Sequence, residues 1–200
     1  HREGARGRPS AYYHEQSPMG RVLRSRGASA SQGRFGVVGL GVGSLAWYLQ
    51  PDQSMRFFEI DPLVHQIALD PRFFTFLEQS PGKVDVIIED GRHALSREPD
   101  HQYDLLVIDA FSSDAVPVHL ITQEAIELYI QKLAPGGLLV FTVSNRHLRL
   151  PELITSTAKA IDLPVQLCAS TPNPEHEARQ NLHGVWVALT QRDADFGPWL

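Results

Sequence analysis

The chain of 200 residues is poor in cysteine and has no long apolar run. Its single cysteine, Cys168, excludes an internal disulfide framework and any zinc site built from several cysteines. So little cysteine favours a reducing compartment, and we expect a cytoplasmic protein. No run of 18 apolar residues occurs, so the sequence predicts no membrane span. There is no signal-peptide pattern, and a start at His1 rather than methionine is typical of a fragment or processed product.

Positive and negative charges are distributed unevenly along a chain of globular composition, with 42% hydrophobic and 20% charged residues. Residues 1–34 contain seven arginines and two acids, whereas residues 35–200 contain 11 basic and 21 acidic residues. The length predicts one domain with at most an appendage. We therefore predict a basic N-terminal arm over residues 1–34, the remnant of an N-terminal segment, and a folded domain over residues 35–200.

The arm has two interpretations. Termini are commonly solvated and poorly ordered, which predicts a leader without a partner. A basic segment can also contact nucleic acid or an anionic membrane surface. The acidic remainder of the chain argues against a nucleic-acid-binding domain, so we expect no nucleic-acid partner.

Apolar runs alternate with helix-period segments from residue 35 onward, which predicts an α/β fold with parallel strands and helices on both faces of the sheet. The last two strands have only a loop between them, and we expect them to form an antiparallel hairpin. The whole pattern predicts a seven-stranded, mostly parallel sheet of the Rossmann-like type. The predicted strands span residues 35–40, 55–60, 84–89, 103–110, 138–144, 165–169 and 185–190, and the predicted helices span 44–50, a segment from Pro62, 122–133 and 151–161.

A glycine-rich turn, Gly39-Leu40-Gly41-Val42-Gly43, follows the first predicted strand. Glycines there let the backbone approach a ligand without an intervening Cβ. Glu59 ends the second strand, 20 residues after Gly39, where a carboxylate can accept hydrogen bonds from both ribose hydroxyls. The glycine spacing departs from the pyrophosphate fingerprint and fits a nucleoside without phosphates equally well. The alternative for Glu59 is an acid exposed on the surface at the end of a strand. Asp61, two residues further on, is expected to cap the next helix.

Two further acids end the third and fourth strands. Asp90, which precedes Gly91, could accept a hydrogen bond from the adenine amine, or it could cap a helix. Asp109 follows four aliphatic residues and would face the cleft, where it could orient or deprotonate an amine. Its alternative role is to fix the following loop, residues 111–119, which we expect to cover the site. Glu175-His176-Glu177 together with His183 could bind a metal, but the segment is typical of a solvated loop, so we predict no metal site.

Four segments, taken in order, resemble the spermidine synthase family over about residues 12–165. They are the glycine turn, Phe58-Glu59-Ile60-Asp61-Pro62, Glu89-Asp90-Gly91 and Val107-Ile108-Asp109-Ala110. The stretch from Asp109 to Leu120 is the most specific, and it is similar to spermidine-synthase-like domains that some bacteria carry fused to membrane segments. The resemblance implies the class I S-adenosylmethionine-dependent methyltransferase fold, a possible membrane tether outside this chain and a possible homodimer.

The resemblance also implies roles for individual residues. Asp109 would be the catalytic acid that accepts a proton from the attacking amine or positions it. Tyr13 and His14 would line the substrate pocket, together with Asp114 in the loop, although two extra residues precede Asp114. The family transfers an aminopropyl group from decarboxylated S-adenosylmethionine to putrescine. The residues that would bind this donor are Gly39, Gly41, Gly43, Glu59, Ile60, Asp90 and Gly91.

Val42 departs from the family pattern, which places an acid inside the glycine turn to meet the amine of the donor. A valine cannot compensate a buried ammonium. Two alternatives therefore stay open beside aminopropyl transfer to a small amine. One is a methyltransferase that uses S-adenosylmethionine itself, and the other is a non-catalytic nucleoside-binding domain.

Overall fold

A computed structural model of the chain describes residues 8–9, 13–29, 32–110, 117–143, 149–170 and 184–197. These described residues form seven strands and five α-helices, together with short 3-10 helices at Ser44–Tyr48, Val118–Leu120 and Asp193–Phe196. The strands are β1 (Arg34–Val38), β2 (Ser54–Glu59), β3 (Lys83–Ile88), β4 (Tyr103–Ile108), β5 (Leu133–Thr142), β6 (Val165–Ala169) and β7 (Val185–Thr190). The α-helices are α1 (Pro18–Ser29), α2 (Pro62–Leu69), α3 (Gly91–Arg97), α4 (Gln123–Lys132) and α5 (Leu150–Ala160).

The strands form one sheet in the order β3-β2-β1-β4-β5-β7-β6. The first five strands pair in parallel, and β7 pairs antiparallel with both β5 and β6. This arrangement confirms the predicted seven-stranded, mostly parallel sheet with a C-terminal antiparallel hairpin. The strand order reverses between β1 and β4, and ligands of such sheets bind beyond the carboxyl ends of the strands at this reversal.

Strand β4 lies at the centre of the sheet and contributes to two hydrophobic cores. Side chains alternate along a strand, so Leu105 and Val107 pack into the first core while Leu106 and Ile108 pack into the second. The first core also contains buried side chains of α1 and of the 44–48 and 193–196 segments. The second contains those of α3, α4 and α5. Both faces of the sheet are therefore covered, as continuous apolar strands require.

Helix α1 falls within the segment predicted to be a basic arm. Met19, Val22 and Leu23 form an apolar stripe at helical spacing and are buried in the first core. Because arginines lie next to these residues in the sequence, a count of charges does not reveal the apolar stripe. The interpretation of residues 1–34 as a solvated leader is therefore wrong for α1, which is part of the packed body.

Two other local predictions need correction. The strand predicted over residues 138–144 begins earlier, at Leu133, and Pro135-Gly136-Gly137 lies inside it rather than in a turn before it. The pairing of β5 with β4 shifts between Tyr103 and Leu105, and the extra residues bulge out. The segment after the glycine turn forms a short 3-10 helix at Ser44–Tyr48 rather than an α-helix to residue 50. In the described part of the chain, no helix is long and apolar enough to cross a membrane.

Candidate active site

A pocket of about 310 Å³ opens at the carboxyl ends of β1, β2 and β4. Parallel strands bring residues that are distant in sequence to one edge of the sheet, and this edge contains the reversal of strand order. Apolar side chains, including Val38, Phe58 and Val64, also line the pocket. Its wall contains seven of the residues predicted from the sequence, namely Gly39, Gly41, Glu59, Ile60, Asp90, Gly91 and Asp109.

The glycine turn is held close to the end of β4. Gly39 has a φ of +97°, and a Cβ at this position would lie 2.5 Å from the carbonyl oxygen of Asp109. Only glycine fits this conformation and this close approach. Gly41 faces open space beside the pocket. Gly43 does not line the pocket, and a Cβ there would meet the side chain of Leu77 instead.

Glu59 connects the glycine turn to the end of β2. Its Oε2 accepts a hydrogen bond of 2.9 Å from the amide of Leu40, and its Oε1 accepts one of 2.9 Å from the amide of Asp61. The residue is only 8% exposed, so it is not the surface acid of the alternative interpretation. Each carboxylate oxygen can accept more than one hydrogen bond, and the side chain borders the pocket, so it can also accept hydrogen bonds from a ligand.

Asp90 both caps α3 and lines the pocket. Its Oδ1 accepts a hydrogen bond of 2.9 Å from the amide of His93, and its Oδ2 lies 2.9 Å from Nε2 of His119. Burial raises the pKa of the Asp90 carboxyl, but the hydrogen bonds from His93 and His119 outweigh this effect and leave the pKa below its ordinary value. Both interpretations of Asp90 are therefore compatible. Asp61 caps α2 through the amide of Leu63, as predicted.

Asp109 and Tyr13 are joined across 96 residues of sequence. The hydroxyl of Tyr13 donates a hydrogen bond to Oδ2 of Asp109. Burial raises the pKa of Asp109 to about 6, although the hydroxyls of Tyr13 and Thr142 act to lower it. A carboxyl group with this pKa is mostly ionised at pH 7 and can still take up a proton near neutrality.

Of the predicted substrate residues, Tyr13 contacts Asp109 but is not among the residues that line the pocket. His14 does not line the pocket, and its Nδ1 accepts a hydrogen bond of 3.2 Å from the amide of Gln16. Asp114 lies outside the described residues, as does most of the predicted covering loop. The end of this loop does reach the site, because Pro117, His119 and Leu120 line the pocket.

Sequence patterns do not predict a role for His119. Its contact with Asp90 joins residues 29 positions apart, and neither residue forms a local motif with the other. The only signal in the sequence is the position of His119 within the stretch that most strongly resembles the family. Among the described residues there is no group of three or more side chains suited to hold a metal ion. The acidic and histidine-containing segment near residue 176 falls outside them.

The chain is similar in sequence to a curated protein. The chain is 36% identical over 112 residues to the polyamine aminopropyltransferase of Vibrio vulnificus. The matched region covers 54% of this chain and 36% of that protein, so the chain spans about a third of the relative's length. No protein-family model matches the chain.

Solved structures share the fold at low sequence identity. A probable spermidine synthase from Corynebacterium glutamicum superposes with a TM-score of 0.62 at 18% identity, over 84% of this chain and 62% of that chain. Human methyltransferase-like protein 13, solved in complex with SAH, superposes with a TM-score of 0.62 at 20% identity, over 86% and 77% of the two chains. The fold is therefore the Rossmann-like class I methyltransferase fold, and the resemblance to spermidine synthases is confirmed. The fold itself is common to aminopropyltransferases and methyltransferases.

Proposed function

We propose that this chain is the catalytic domain of a spermidine-synthase-like transferase, which moves an aminopropyl group from decarboxylated S-adenosylmethionine to a small amine such as putrescine. The observation that carries the proposal is the convergence of the glycine turn, Glu59, Asp90 and Asp109 on one pocket. Tyr13 contacts this pocket's Asp109 through its hydroxyl group. The similarity to an aminopropyltransferase supports the same chemistry. The amine acceptor is a cation in solution, and the acidic groups around the pocket favour its approach.

In this proposal the donor nucleoside lies along the carboxyl edge of β1 and β2. Glu59 accepts hydrogen bonds from the ribose hydroxyls, and Asp90 accepts one from the exocyclic amine of adenine. Ile60 and Val64 contribute apolar surface to the same pocket. Glycine at position 41 leaves open space where a side chain would stand beside the ligand.

Asp109 supplies the acid–base part of the reaction. The sulfonium of the donor is a good leaving group, so displacement at the adjacent carbon mainly requires an aligned, uncharged amine. The amine nitrogen forms a bond to that carbon while the carbon–sulfur bond breaks and methylthioadenosine leaves. Asp109 accepts the proton that the amine loses, and Tyr13 fixes the orientation of the carboxylate.

The test is the exchange of Asp109 for asparagine, which keeps the shape of the side chain and removes its basicity. We expect Asp109→Asn to lower aminopropyl transfer by about 100-fold or more, the usual contribution of acid–base catalysis. The affinity for methylthioadenosine should stay within about threefold, because the base and ribose contacts are unchanged. Spermidine formation by mass spectrometry and calorimetric titration with methylthioadenosine measure the two effects.

Asp104→Asn is the matched control, since Asp104 lies at the opposite end of β4, where it accepts a hydrogen bond from the amide of Arg34. This variant should keep full activity. Unchanged turnover in Asp109→Asn would refute the role of Asp109. If the wild type bound methylthioadenosine but turned over no amine, the transferase function would be rejected. The chain would then be a non-catalytic nucleoside-binding domain.

Val42 supports a second candidate, a methyltransferase on the same fold. A donor that keeps its carboxylate is repelled by an acid in the glycine turn, whereas valine allows it. Calorimetric titration with S-adenosylmethionine and with its decarboxylated form separates the two functions. Tighter binding of the carboxylated donor would favour methyl transfer and reject the aminopropyl reaction.

A further inference from the structure

The ring of His119 lies at the end of the pocket beside Asp90. Its Nε2 is 2.9 Å from Oδ2 of Asp90, and both residues line the pocket. An ionised carboxylate only accepts hydrogen bonds, so Nε2 of His119 must carry the proton that joins them. The side chain of His119 is half-exposed, so the contact is not part of a hydrophobic core.

The backbone of His119 is also held in place. Nη1 of Arg92 donates a hydrogen bond of 2.8 Å to the carbonyl oxygen of His119. Arg92 belongs to α3, the helix that Asp90 caps. The histidine is therefore anchored to the same helix end through its backbone and through its ring, so its ring keeps a defined position relative to the Asp90 carboxylate.

We infer that His119 is a positioning residue that makes the pocket specific for a base with an amino group. The inference rests on the proposed function, in which Asp90 faces the base of the nucleoside. It assigns to His119 the task of holding the Asp90 carboxylate in one plane, with its remaining lone pairs directed into the pocket.

Two hydrogen bonds on different oxygens are needed to fix this plane. The backbone amides of His93 and Arg92, both at the start of α3, act on the carboxylate, and the amide of His93 holds Oδ1. With contacts from this helix end alone the carboxylate could tilt, because the terminal torsion of aspartate is soft. The bond from His119 holds Oδ2 and removes that freedom. A fixed carboxylate accepts a hydrogen bond from the 6-amino group of adenine and repels the 6-oxo group of hypoxanthine. A tilted carboxylate discriminates less between them.

Two variants of similar size separate the hydrogen bond from the shape of the wall. His119→Gln retains an N–H donor, whereas His119→Leu keeps the bulk and removes the donor. Calorimetric titration with methylthioadenosine and with methylthioinosine, its 6-oxo analogue, gives the ratio of the two affinities for each protein. We expect His119→Leu to lower the preference for methylthioadenosine by about three- to tenfold, the effect of one hydrogen bond, and His119→Gln to retain it.

His65→Leu is the control, because His65 lies on α2 and does not line the pocket. It should leave both affinities unchanged. If His119→Leu weakened the binding of both nucleosides equally, so that the ratio of the two affinities was preserved, the role of His119 would be merely structural. That result would overturn the inference. Equal ratios in His119→Leu and His119→Gln would overturn it as well. If the wild type bound neither nucleoside, the proposed function would fail and this inference with it.

Discussion

At the scale of single residues, the site depends on carboxylates that the fold places in different surroundings. Glu59 and Asp90 accept backbone hydrogen bonds, and those to Asp90 help to hold the pKa of its carboxyl below the ordinary value. Asp109 accepts a hydrogen bond from the Tyr13 hydroxyl, but burial outweighs it and raises the pKa to about 6. In the proposed function, these similar side chains therefore carry out two tasks, ligand recognition and proton transfer.

The raised pKa of Asp109 predicts how stability depends on pH. Between about pH 4 and pH 6 the folded protein binds more protons at this residue than the unfolded chain, so stability falls as pH rises. The loss should amount to about 2–3 kcal/mol in the free energy of unfolding and level off above pH 6. Urea denaturation of the wild type and of Asp109→Asn, from pH 4 to pH 8, isolates this residue because the other acids contribute equally to both. If the difference in the free energy of unfolding between the wild type and Asp109→Asn did not vary with pH, the prediction would be contradicted.

At the scale of elements, helix α1 connects the N-terminal segment to the rest of the fold. Arg26 donates hydrogen bonds of 2.6 Å to the carbonyl of Gly136 and 2.7 Å to that of Asp195. It thus joins α1 to the bulge in β5 and to the C-terminal 3-10 helix. The bulge leaves carbonyl groups without strand partners, and an arginine can satisfy several of them at once.

Replacing Arg26 by methionine should therefore destabilise the protein. Methionine keeps much of the apolar length of the side chain but leaves the carbonyls unsatisfied, at a cost of about 1–3 kcal/mol in the free energy of unfolding. Arg24→Met is the matched control. Arg24 lies on the same helix, is 61% exposed and pairs only with Glu15 among the described contacts, so its loss should cost at most about 1 kcal/mol. If urea denaturation showed the same decrease in the free energy of unfolding for Arg26→Met and Arg24→Met, the role of Arg26 would be contradicted.

At the scale of the whole molecule, one sheet separates two hydrophobic cores and belongs to both. Leu105 and Leu106 are neighbours in β4, are each 0% exposed and point into opposite cores. Because a strand cannot unfold on one face alone, we expect both cores to be lost in a single transition.

Leu105→Ala and Leu106→Ala test this coupling with the same substitution on the two faces. Each should destabilise the protein by about 2–5 kcal/mol. Tryptophan fluorescence in a Trp199→Phe background reports on Trp47 and Trp186, which pack in the first core. In both variants its denaturation midpoint should agree with that of circular dichroism. A fluorescence midpoint that stays at the wild-type value in Leu106→Ala would show that the cores unfold independently.

Local sequence patterns were sufficient to predict most of the architecture. The apolar runs located all seven strands to within a few residues, apart from the start of β5, and Thr122 caps α4 as a capping residue should. The patterns failed where a local signal was mixed or interrupted. Helix α1 is rich in arginine, α3 has only two turns, and the glycines of the β5 bulge are typical of a turn.

The sequence by itself determined the class of fold and the acids at the ends of the strands, because side-chain periodicity and turn residues act over short distances along the chain. Only the tertiary structure decided which groups meet. Tyr13 reaches Asp109, His119 reaches Asp90, and Gly43 packs on Leu77 instead of lining the pocket. These contacts join segments up to 96 residues apart, and they depend on how the helices and loops pack against the sheet. No local pattern encodes that packing, since it follows from the burial of apolar surface by the whole molecule.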